Sequence, residues 1–329
     1  MNIDQRIRLL SRLGQYMAQK EDAWETVKER AVIQNAWFTP TFIEEATNAI
    51  CTDFLQESQL RKWIAAYPLP EISRKVGIVM AGNIPLVGFH DLLCCFICGH
   101  QSILKLSTKD AVLLPHLIAK LTEWDPEIAG LIQVSEMLKG CDAYIATGSN
   151  NTARYFEQYF EKYPHIIRRN RTSVAVLDGT ETQEDFQLLG GDIFKYFGLG
   201  CRNVTQICVP GGYDFTPLLQ NLESWKAYFD HNKYRNNFDY HLALYLLNRV
   251  PYLDNGFLLL VENELPFSAV SVLHYRYYDD KDALLKELAA SKDIQAIIGK
   301  YGIPFGKSQE PALGDYADGV DTMAFLCQL

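Results

Sequence analysis

The sequence predicts an α/β fold with an N-terminal helical leader followed by two α/β lobes. Three observations support this prediction. At 329 residues the chain exceeds the size at which a single hydrophobic core stops growing, roughly 250–300 residues. Hydrophobic residues make up 48% and charged residues 22%, as in ordinary globular proteins. Short apolar runs alternate with amphipathic stretches after the leader, which predicts parallel sheets covered by helices.

The leader is predicted from two stretches, residues 4–29 and 40–66. Both carry apolar residues three and four positions apart between charges, the spacing of amphipathic helices. The N-terminus lacks the apolar core of a signal peptide, and the apolar run at residues 92–98 is too short to span a membrane. Eight cysteines without a repeating spacing are typical of a reducing compartment. We therefore expect a cytoplasmic protein with no membrane span.

The net charge of -9 would repel a phosphate backbone, so nucleic acid is not an expected partner.

The first lobe is predicted from three strand–loop–helix units. Their strands are expected at residues 75–80, 102–106 and 143–146. A further strand at residues 173–177 is expected to close this lobe. We therefore predict a first lobe of residues 1–177, to which residues 306–329 return.

The second lobe is expected to span residues 178–305, beginning at the Asp178-Gly179 turn. Its apolar runs and amphipathic stretches predict another α/β arrangement. The strands are expected at 204–209, 257–261 and 270–277, and the helices at 216–229 and 239–247.

Cys201 is the candidate nucleophile. Alone among the cysteines it follows a Gly-Leu-Gly turn and precedes Arg-Asn. Such a turn provides exposure, backbone N–H donors and a nearby cation, all of which favour a reactive thiolate. The same spacing also fits a small buried residue in a tight turn, and both interpretations remain open.

An ordered series of short motifs resembles the landmarks of the aldehyde dehydrogenase superfamily over about residues 76–325. The motifs are Asn83-Ile84-Pro85, Lys105-Leu106-Ser107, Thr147-Gly148-Ser149, Gly200-Cys201, Glu264-Leu265-Pro266-Phe267 and Pro304-Phe305-Gly306. The short length and the segment from Gly314 to Met323 look most like the LuxC-like acyl-CoA reductases. The resemblance implies a Rossmann-type cofactor lobe plus an α/β catalytic lobe.

The resemblance also implies the reaction, NADPH-dependent reduction of a fatty acyl thioester to an aldehyde. Cys201 would carry the acyl group as a thioester. Asn83 would donate its side-chain amide to the oxyanion, beside the Cys201 N–H. An ordinary turn residue before Ile-Pro is the alternative interpretation of Asn83.

The cofactor residues are also carried over from the family. Lys105 corresponds to the lysine at the adenosine ribose, and Gly148 and Ser149 to the turn at the pyrophosphate, although Thr-Gly-Ser is also a good helix cap. NAD-preferring relatives have a glutamate where this chain has Thr108, next to Ser107. The missing carboxylate favours NADPH, and NADH remains the alternative.

Two departures from the superfamily pattern matter. Residues 165–171 contain no carboxylate to activate a deacylating water, which favours reduction over hydrolysis. Glu264 lies three residues before Phe267 rather than two, so it is a weaker candidate for the nicotinamide ribose. The basic cluster Lys162, His165, Arg168, Arg169 and Arg171 fits either a phosphate contact or a solvated edge.

Other functions and partners follow from the same residues. A CoA-acylating aldehyde dehydrogenase working oxidatively, or a catalytically silent binding protein of the same fold, are the rival functions. No metal site is expected, because the Cys95-Phe-Ile-Cys98 spacing has no second ligand pair. The expected partners are an acyl-CoA or acyl-carrier thioester and a second copy in a homodimer.

Overall fold

The computed structural model describes all 329 residues, Met1–Leu329. It divides the chain into two compact units. The first comprises Met1–Asn170 and Pro311–Leu329, and the second Arg171–Glu310. The boundaries expected from sequence lay at residues 177 and 306.

The helices and strands follow one another in the mixed order predicted for an α/β protein. The α-helices are α1 Ile3–Ala18, α2 Asp22–Gln34, α3 Pro40–Ala49, α4 Glu57–Ile64, α5 Phe89–Cys98, α6 Leu113–Trp124, α7 Ile128–Leu131, α8 Asn150–Phe160, α9 Gln183–Phe194, α10 Thr216–Asn221, α11 Asn232–Asn248, α12 Lys281–Ala290 and α13 Thr322–Cys327. The strands are β1 Lys75–Val79, β2 Gln101–Lys105, β3 Ile132–Val134, β4 Ala143–Thr147, β5 His165–Arg168, β6 Thr172–Val176, β7 Val204–Pro210, β8 Leu253–Asp254, β9 Leu259–Glu262, β10 Val272–Tyr278 and β11 Ile294–Ile298.

The leader consists of α1 to α4, with a π-helical turn at Ile50–Phe54. The stretch of helical spacing at residues 4–29 contains two helices, because the backbone is extended at Gln19 and Glu21. Asn2 caps α1 through the Gln5 amide, which satisfies an N–H group that has no partner within the helix. Apolar residues on one side of each helix are buried in the core of the first unit.

The first unit contains a five-stranded sheet in the order β3-β2-β1-β4-β5, with every pair parallel. The chain moves outward from β1 through β2 to β3, and then returns to place β4 on the other side of β1. Loops that follow β1 and β4 therefore leave the carboxyl edge in opposite directions. Such a topological switch point is where open α/β sheets bind their ligands.

The final segment of the chain is anchored within the first unit. Helix α13 packs against α5, the buried helix predicted from the apolar run. The Trp63 indole N–H donates to the Tyr316 hydroxyl at 2.9 Å, and the Tyr67 hydroxyl donates to Asp321 Oδ2 at 2.9 Å. These contacts fix the C-terminal residues to the leader.

The second unit contains a six-stranded sheet in the order β11-β6-β7-β10-β9-β8. All pairs are parallel except β8 with β9, which is antiparallel. The helix predicted at residues 216–229 is α10 followed by 3₁₀ turns, and the one predicted at 239–247 is the longer α11.

One predicted strand belongs to a different lobe from the one expected. The run at residues 173–177 forms β6, which pairs with β7 and β11 rather than closing the first sheet. All five residues of β6 are buried, so this strand lies inside a sheet. An apolar run predicts a buried strand equally well in either sheet, and only the pairing assigns it.

None of the helices is both long enough and apolar enough to cross a membrane.

Candidate active site

The loop that follows β1 contains Asn83 and ends at α5. A Cβ atom on Gly82 would lie 2.7 Å from the Cβ and Oγ atoms of Ser107, so this glycine is needed for the two loops to touch. Leu86 has a left-handed backbone with φ of 56°, which costs a non-glycine residue about 1 kcal/mol or more. Its amide donates to Asp110 Oδ2 at 2.8 Å. The loop after β2 therefore holds the Asn83 loop at two points.

The loop that follows β2 presents the residues predicted to bind the cofactor. Lys105 ends the strand, and its side chain is exposed, as is that of Thr108. Ser107 is half-buried, and its Oγ accepts from the Lys109 amide at 3.2 Å. The loop thus offers two lysines and a threonine to solvent, a set that suits a ribose or a phosphate.

Asp110 closes this loop and is buried, with 8% of its surface exposed. Its Oδ1 atom is buried and has no hydrogen-bond partner. Burial raises the pKa of this carboxyl to about 6, and the bond from the Leu86 amide only partly opposes that rise.

The end of the leader helix α2 contacts the same loop from another side. Gln34 Nε2 donates to the Thr108 carbonyl at 3.2 Å, and Asn35 Nδ2 donates to the Lys109 carbonyl at 3.1 Å. Asn35 is buried, and its Oδ1 accepts from the Trp37 amide. The leader is therefore a direct support of the predicted cofactor loop.

The turn between β4 and α8 contains Gly148 and Ser149. Ser149 is exposed and caps the helix, because its Oγ accepts from the Thr152 amide at 3.3 Å. The Gly148 amide donates to the Arg168 carbonyl at 3.2 Å. The helix-capping interpretation is confirmed, and the pyrophosphate contact stays a prediction.

These loops fit a dinucleotide. The turn after β4 and the loop after β1 flank the switch point of the sheet, and the exposed lysines of the neighbouring loop lie on the same carboxyl edge. A helix N-terminus at Ser149 adds backbone N–H groups to that edge.

The stretch of residues 165–171 has structural partners. Arg168 is 4% exposed and forms an ion pair with Asp91 of α5, while its Nη2 donates to Thr322 Oγ1 at 2.8 Å. Arg169 forms an ion pair with Glu157. Both interpretations of the basic cluster are therefore wrong for Arg168, because its side chain is buried and paired and is neither solvated nor open to a phosphate.

Cys201 lies in the second unit, between a strained turn and β7. Tyr196 and Phe197 have left-handed backbones with φ of 53° and 54°, and Gly198 follows with 74°. Two adjacent non-glycine residues in this region store strain, a feature that is concentrated at functional sites. Cys201 is half-buried, and its carbonyl accepts from Ser173 Oγ at 3.2 Å.

Asn203 fixes the Cys201 loop. Its side chain is wholly buried, and its Oδ1 accepts from the Gly200 amide at 2.8 Å. Its Nδ2 donates to the carbonyls of Asp192 and Lys195 at 3.0 and 2.9 Å. One amide group thus joins the end of α9, the strained turn and the residue before Cys201.

The other cysteines are poorer candidates for a thiolate. Burial raises the pKa of both Cys51 and Cys95 to about 12. Cys327 is half-buried like Cys201, but burial raises its pKa as well, and its Sγ lies 3.9 Å from Cys98 Sγ. Because the thiolate is the reactive form, burial argues against these cysteines.

The loop after β9 holds Glu264 and Phe267. Glu264 is exposed and lies 3.5 Å from the Arg276 guanidinium. Thr205 Oγ1 donates to the Pro266 carbonyl at 2.5 Å, so the half-buried Phe267 follows a residue bound to the start of β7. The loop after β9 therefore contacts β7, the strand that follows the Cys201 loop. Glu264 itself lies in an ion pair at the surface.

Three residues of these loops were not predicted from sequence: Asn35, Asp110 and Asn203. Asn203 stood in the stretch that singled out Cys201, and an asparagine directly before a buried strand was the available signal. Asn35 and Asp110 bond to residues 74 and 24 positions away, and no local pattern marks such contacts.

Comparisons with known proteins identify the family from the sequence and the fold from the structure. The sequence model of the family described as acyl-CoA reductase (LuxC) matches residues 11–212. No curated protein matches the chain by sequence.

Several solved structures share the fold. A putative aldehyde dehydrogenase from Burkholderia cenocepacia is 13% identical with a TM-score of 0.66, over 91% of this chain and 74% of that one. An aldehyde dehydrogenase from Mycobacterium tuberculosis, complexed with NAD+, is 16% identical with a TM-score of 0.64, over 91% and 73%. An NADP-dependent enzyme from E. coli is 12% identical with a TM-score of 0.68, over 91% and 73%. The predicted aldehyde-dehydrogenase-like fold is confirmed.

Proposed function

This chain belongs to the acyl-CoA reductase (LuxC) family, and we propose that it works through an acyl thioester on Cys201. As a member of that family it is an oxidoreductase that reduces a fatty acyl thioester to an aldehyde with a nicotinamide cofactor. The observation that carries the assignment of Cys201 is its half-buried thiol on a strained loop fixed by a buried amide.

The proposed reaction begins with attack of the Cys201 thiolate on the thioester carbonyl. The new carbon–sulfur bond forms, and CoA leaves as a thiolate that takes up a proton. Asn83 is proposed as the side-chain donor to the oxyanion, together with the Cys201 N–H. Asn203 is proposed to keep the loop in place during attack. A bound nicotinamide cofactor would supply the hydride to the acyl carbonyl carbon. The carbon–sulfur bond to Cys201 then breaks, which releases the aldehyde and regenerates the thiolate.

NADPH is the proposed cofactor. The exposed side chains of the loop after β2 are Lys105, Thr108 and Lys109, and the carboxylate in that loop, Asp110, is buried. A 2′-phosphate would therefore find positive charge and no exposed acid on this loop.

The remaining cofactor residues are proposed from the resemblance. Ser107 is proposed to support the ribose loop, and Gly148 and Ser149 to meet the pyrophosphate. Glu264 and Phe267 are proposed at the nicotinamide ribose. In these assignments the first unit binds the cofactor and the second carries the nucleophile.

A homodimer is proposed as the assembly. Three apolar side chains lie at helical spacing on the exposed side of α11, Tyr240, Leu244 and Leu247, with 63%, 37% and 83% of their surfaces exposed. Such an apolar stripe favours contact with a protein surface. We also propose that the enzyme is cytoplasmic, on the cysteine pattern of its sequence, and accepts acyl-CoA or an acyl-carrier thioester.

The test of this proposal uses the full chain with acyl-CoA and no nicotinamide cofactor. Intact mass is expected to show one acyl adduct that maps to Cys201, absent from Cys201→Ala. Cys327→Ala, which removes the other half-buried thiol, is the matched control and should form the adduct normally. An absence of adduct at every chain length tried, or an adduct that persists in Cys201→Ala, would contradict the proposal.

Cofactor choice is tested on the same adduct. NADPH is expected to release aldehyde from it faster than NADH does, and Thr108→Glu should reverse that order by placing a carboxylate at the ribose. A wild-type preference for NADH would count against the argument from the lysines.

A further inference from the structure

Three segments of the first unit meet at the loop that carries the buried Asp110 side chain. They are the Asn83 loop, residues 81–86; the cofactor loop, residues 105–110; and the end of α2 at Gln34 and Asn35. We call this meeting point the Asp110 junction.

The Asn83 loop depends on the junction for its shape. Leu86 stands in the left-handed region, and its amide points to Asp110 Oδ2 at 2.8 Å. A bond from a backbone amide to a carboxylate is about twice as strong as one between neutral groups. The contact therefore offsets the backbone strain at Leu86, a position where glycine would adopt the left-handed conformation without that strain.

The cofactor loop is fixed in the same place. The Asp110 amide donates to the Ser107 carbonyl at 3.1 Å, and Ser107 lies against Gly82. From outside, Asn35 of the leader holds the Lys109 carbonyl. A shift of Asp110 would therefore move the Asn83 loop and the cofactor loop together.

We propose that Asp110 is a positioning residue of the reductase, setting Asn83 through the Leu86 amide, and that Asn35 positions the cofactor loop. This inference rests on the proposed roles of Asn83 in acyl transfer and of Lys105 and Thr108 in cofactor binding. It assigns the helical leader a part in cofactor binding, beyond its contribution to the core.

The test separates acyl transfer from cofactor binding. Asp110→Ala should slow formation of the Cys201 adduct about tenfold to a hundredfold, because small misplacements of a catalytic group reduce rates by such factors. Asp110→Asn keeps an oxygen that accepts from the Leu86 amide, and should stay within about threefold of the wild type. If Asp110 served folding alone, Asp110→Ala would lower the melting temperature, and Asp110→Asn would not restore the rate of adduct formation.

Asp142→Ala is the matched control. Asp142 Oδ2 accepts from the Lys75 amide at 2.8 Å, the same kind of bond at the opposite end of β1. This variant should form the adduct at the wild-type rate. If Asp110→Ala melts as a folded protein and also forms the adduct at that rate, the role of Asp110 is overturned.

Asn35→Ala provides a second measurement if Asp110→Ala does not fold. It should raise the dissociation constant for NADPH, measured by fluorescence without acyl-CoA, about three- to tenfold. An unchanged dissociation constant would overturn the role of the leader.

The experiments distinguish a failure of the function proposed for Cys201 from a failure of the positioning roles proposed for Asp110 and Asn35. If the wild type forms no adduct, the function proposed for Cys201 is wrong. If the wild type forms the adduct and the Asp110 and Asn35 variants match it in adduct rate and NADPH affinity, only the positioning proposal is wrong.

Discussion

The Cys201 loop and the Asn83 loop both have a strained backbone, but an amide holds the first and a carboxylate holds the second. The Cys201 loop contains two non-glycine residues in the left-handed region and the Asn83 loop contains one, and each loop is held by one buried polar side chain. Asn203 holds the Cys201 loop with an amide whose oxygen and nitrogen are both paired. Asp110 holds the Asn83 loop with a carboxylate that has one paired oxygen and one buried oxygen without a partner.

The difference has a thermodynamic consequence. A neutral amide with all its bonds made carries little burial penalty and keeps its bonds at every pH. A buried carboxylate is penalised in its charged form, so its contribution to stability depends on pH. We therefore expect the Cys201 loop to be insensitive to pH and the Asn83 loop to be sensitive to it.

The largest expected effect is that of Asn203→Ala. This substitution leaves the Gly200 amide and the carbonyls of Asp192 and Lys195 without their buried partner. The free energy of unfolding should fall by about 3–5 kcal/mol, as measured by chemical denaturation. Asn248→Ala is the control, because that exposed asparagine makes a single side-chain bond to the Leu244 carbonyl. If the free energy of unfolding fell no further than it does in the control, Asn203 would not be the side chain that holds the Cys201 loop.

The next effect is the pH dependence of Asp110. Burial raises its pKa from 3.8 to about 6, so the folded state binds this proton more tightly than the unfolded state does. The stabilisation is complete below pH 3.8, falls as the pH rises through 6, and is absent above that value. At 1.36 kcal/mol per pH unit, the wild type should lose up to about 3 kcal/mol relative to Asp110→Asn across this window.

Denaturation of both proteins between pH 4 and pH 8 measures this difference. The Asn203→Ala variant, compared with the wild type in the same way, should give a constant difference. A flat Asp110→Asn comparison would show that the two buried side chains do not differ as proposed.

The smallest expected effect concerns strain away from either loop. Arg249 ends α11 in the left-handed region with φ of 56°, and its side chain is exposed. Arg249→Gly should raise the free energy of unfolding by about 0.5–1 kcal/mol, with adduct formation unchanged. Arg249→Ala, which keeps the Cβ atom, separates this relief from loss of the side chain and should give no gain. Equal gains from both would mean that strain at this cap is not the cause.

Much of the fold was predictable because its signals are local. The strand–loop–helix units of residues 75–99 and 143–163 follow from apolar runs that end in turn residues. Strand β6 was assigned to the wrong lobe because its five apolar or small residues indicate that the strand is buried and do not indicate which strand it pairs with. Short strands such as Ile132–Val134 carry too few residues for a period to be recognised.

The sequence singled out candidate site residues but not the side chains that support their loops. Cys201, Asn83 and Lys105 were singled out by residue type and by order along the chain, and their roles remain proposals. Asp110 and Asn203 were missed, since a buried acid or amide in a loop has the same composition signal as a solvated one.

The sequence by itself determined the periodic elements, the turn around Cys201 and the family, because these depend on residue types and their order along the chain. Only the tertiary structure decided which sheet β6 joins, that Arg168 is buried on Asp91, and that Leu86 and Asn35 converge on the loop of Asp110. Those bonds join residues that are distant in sequence, and they exist only when packing excludes the water that would otherwise satisfy each group.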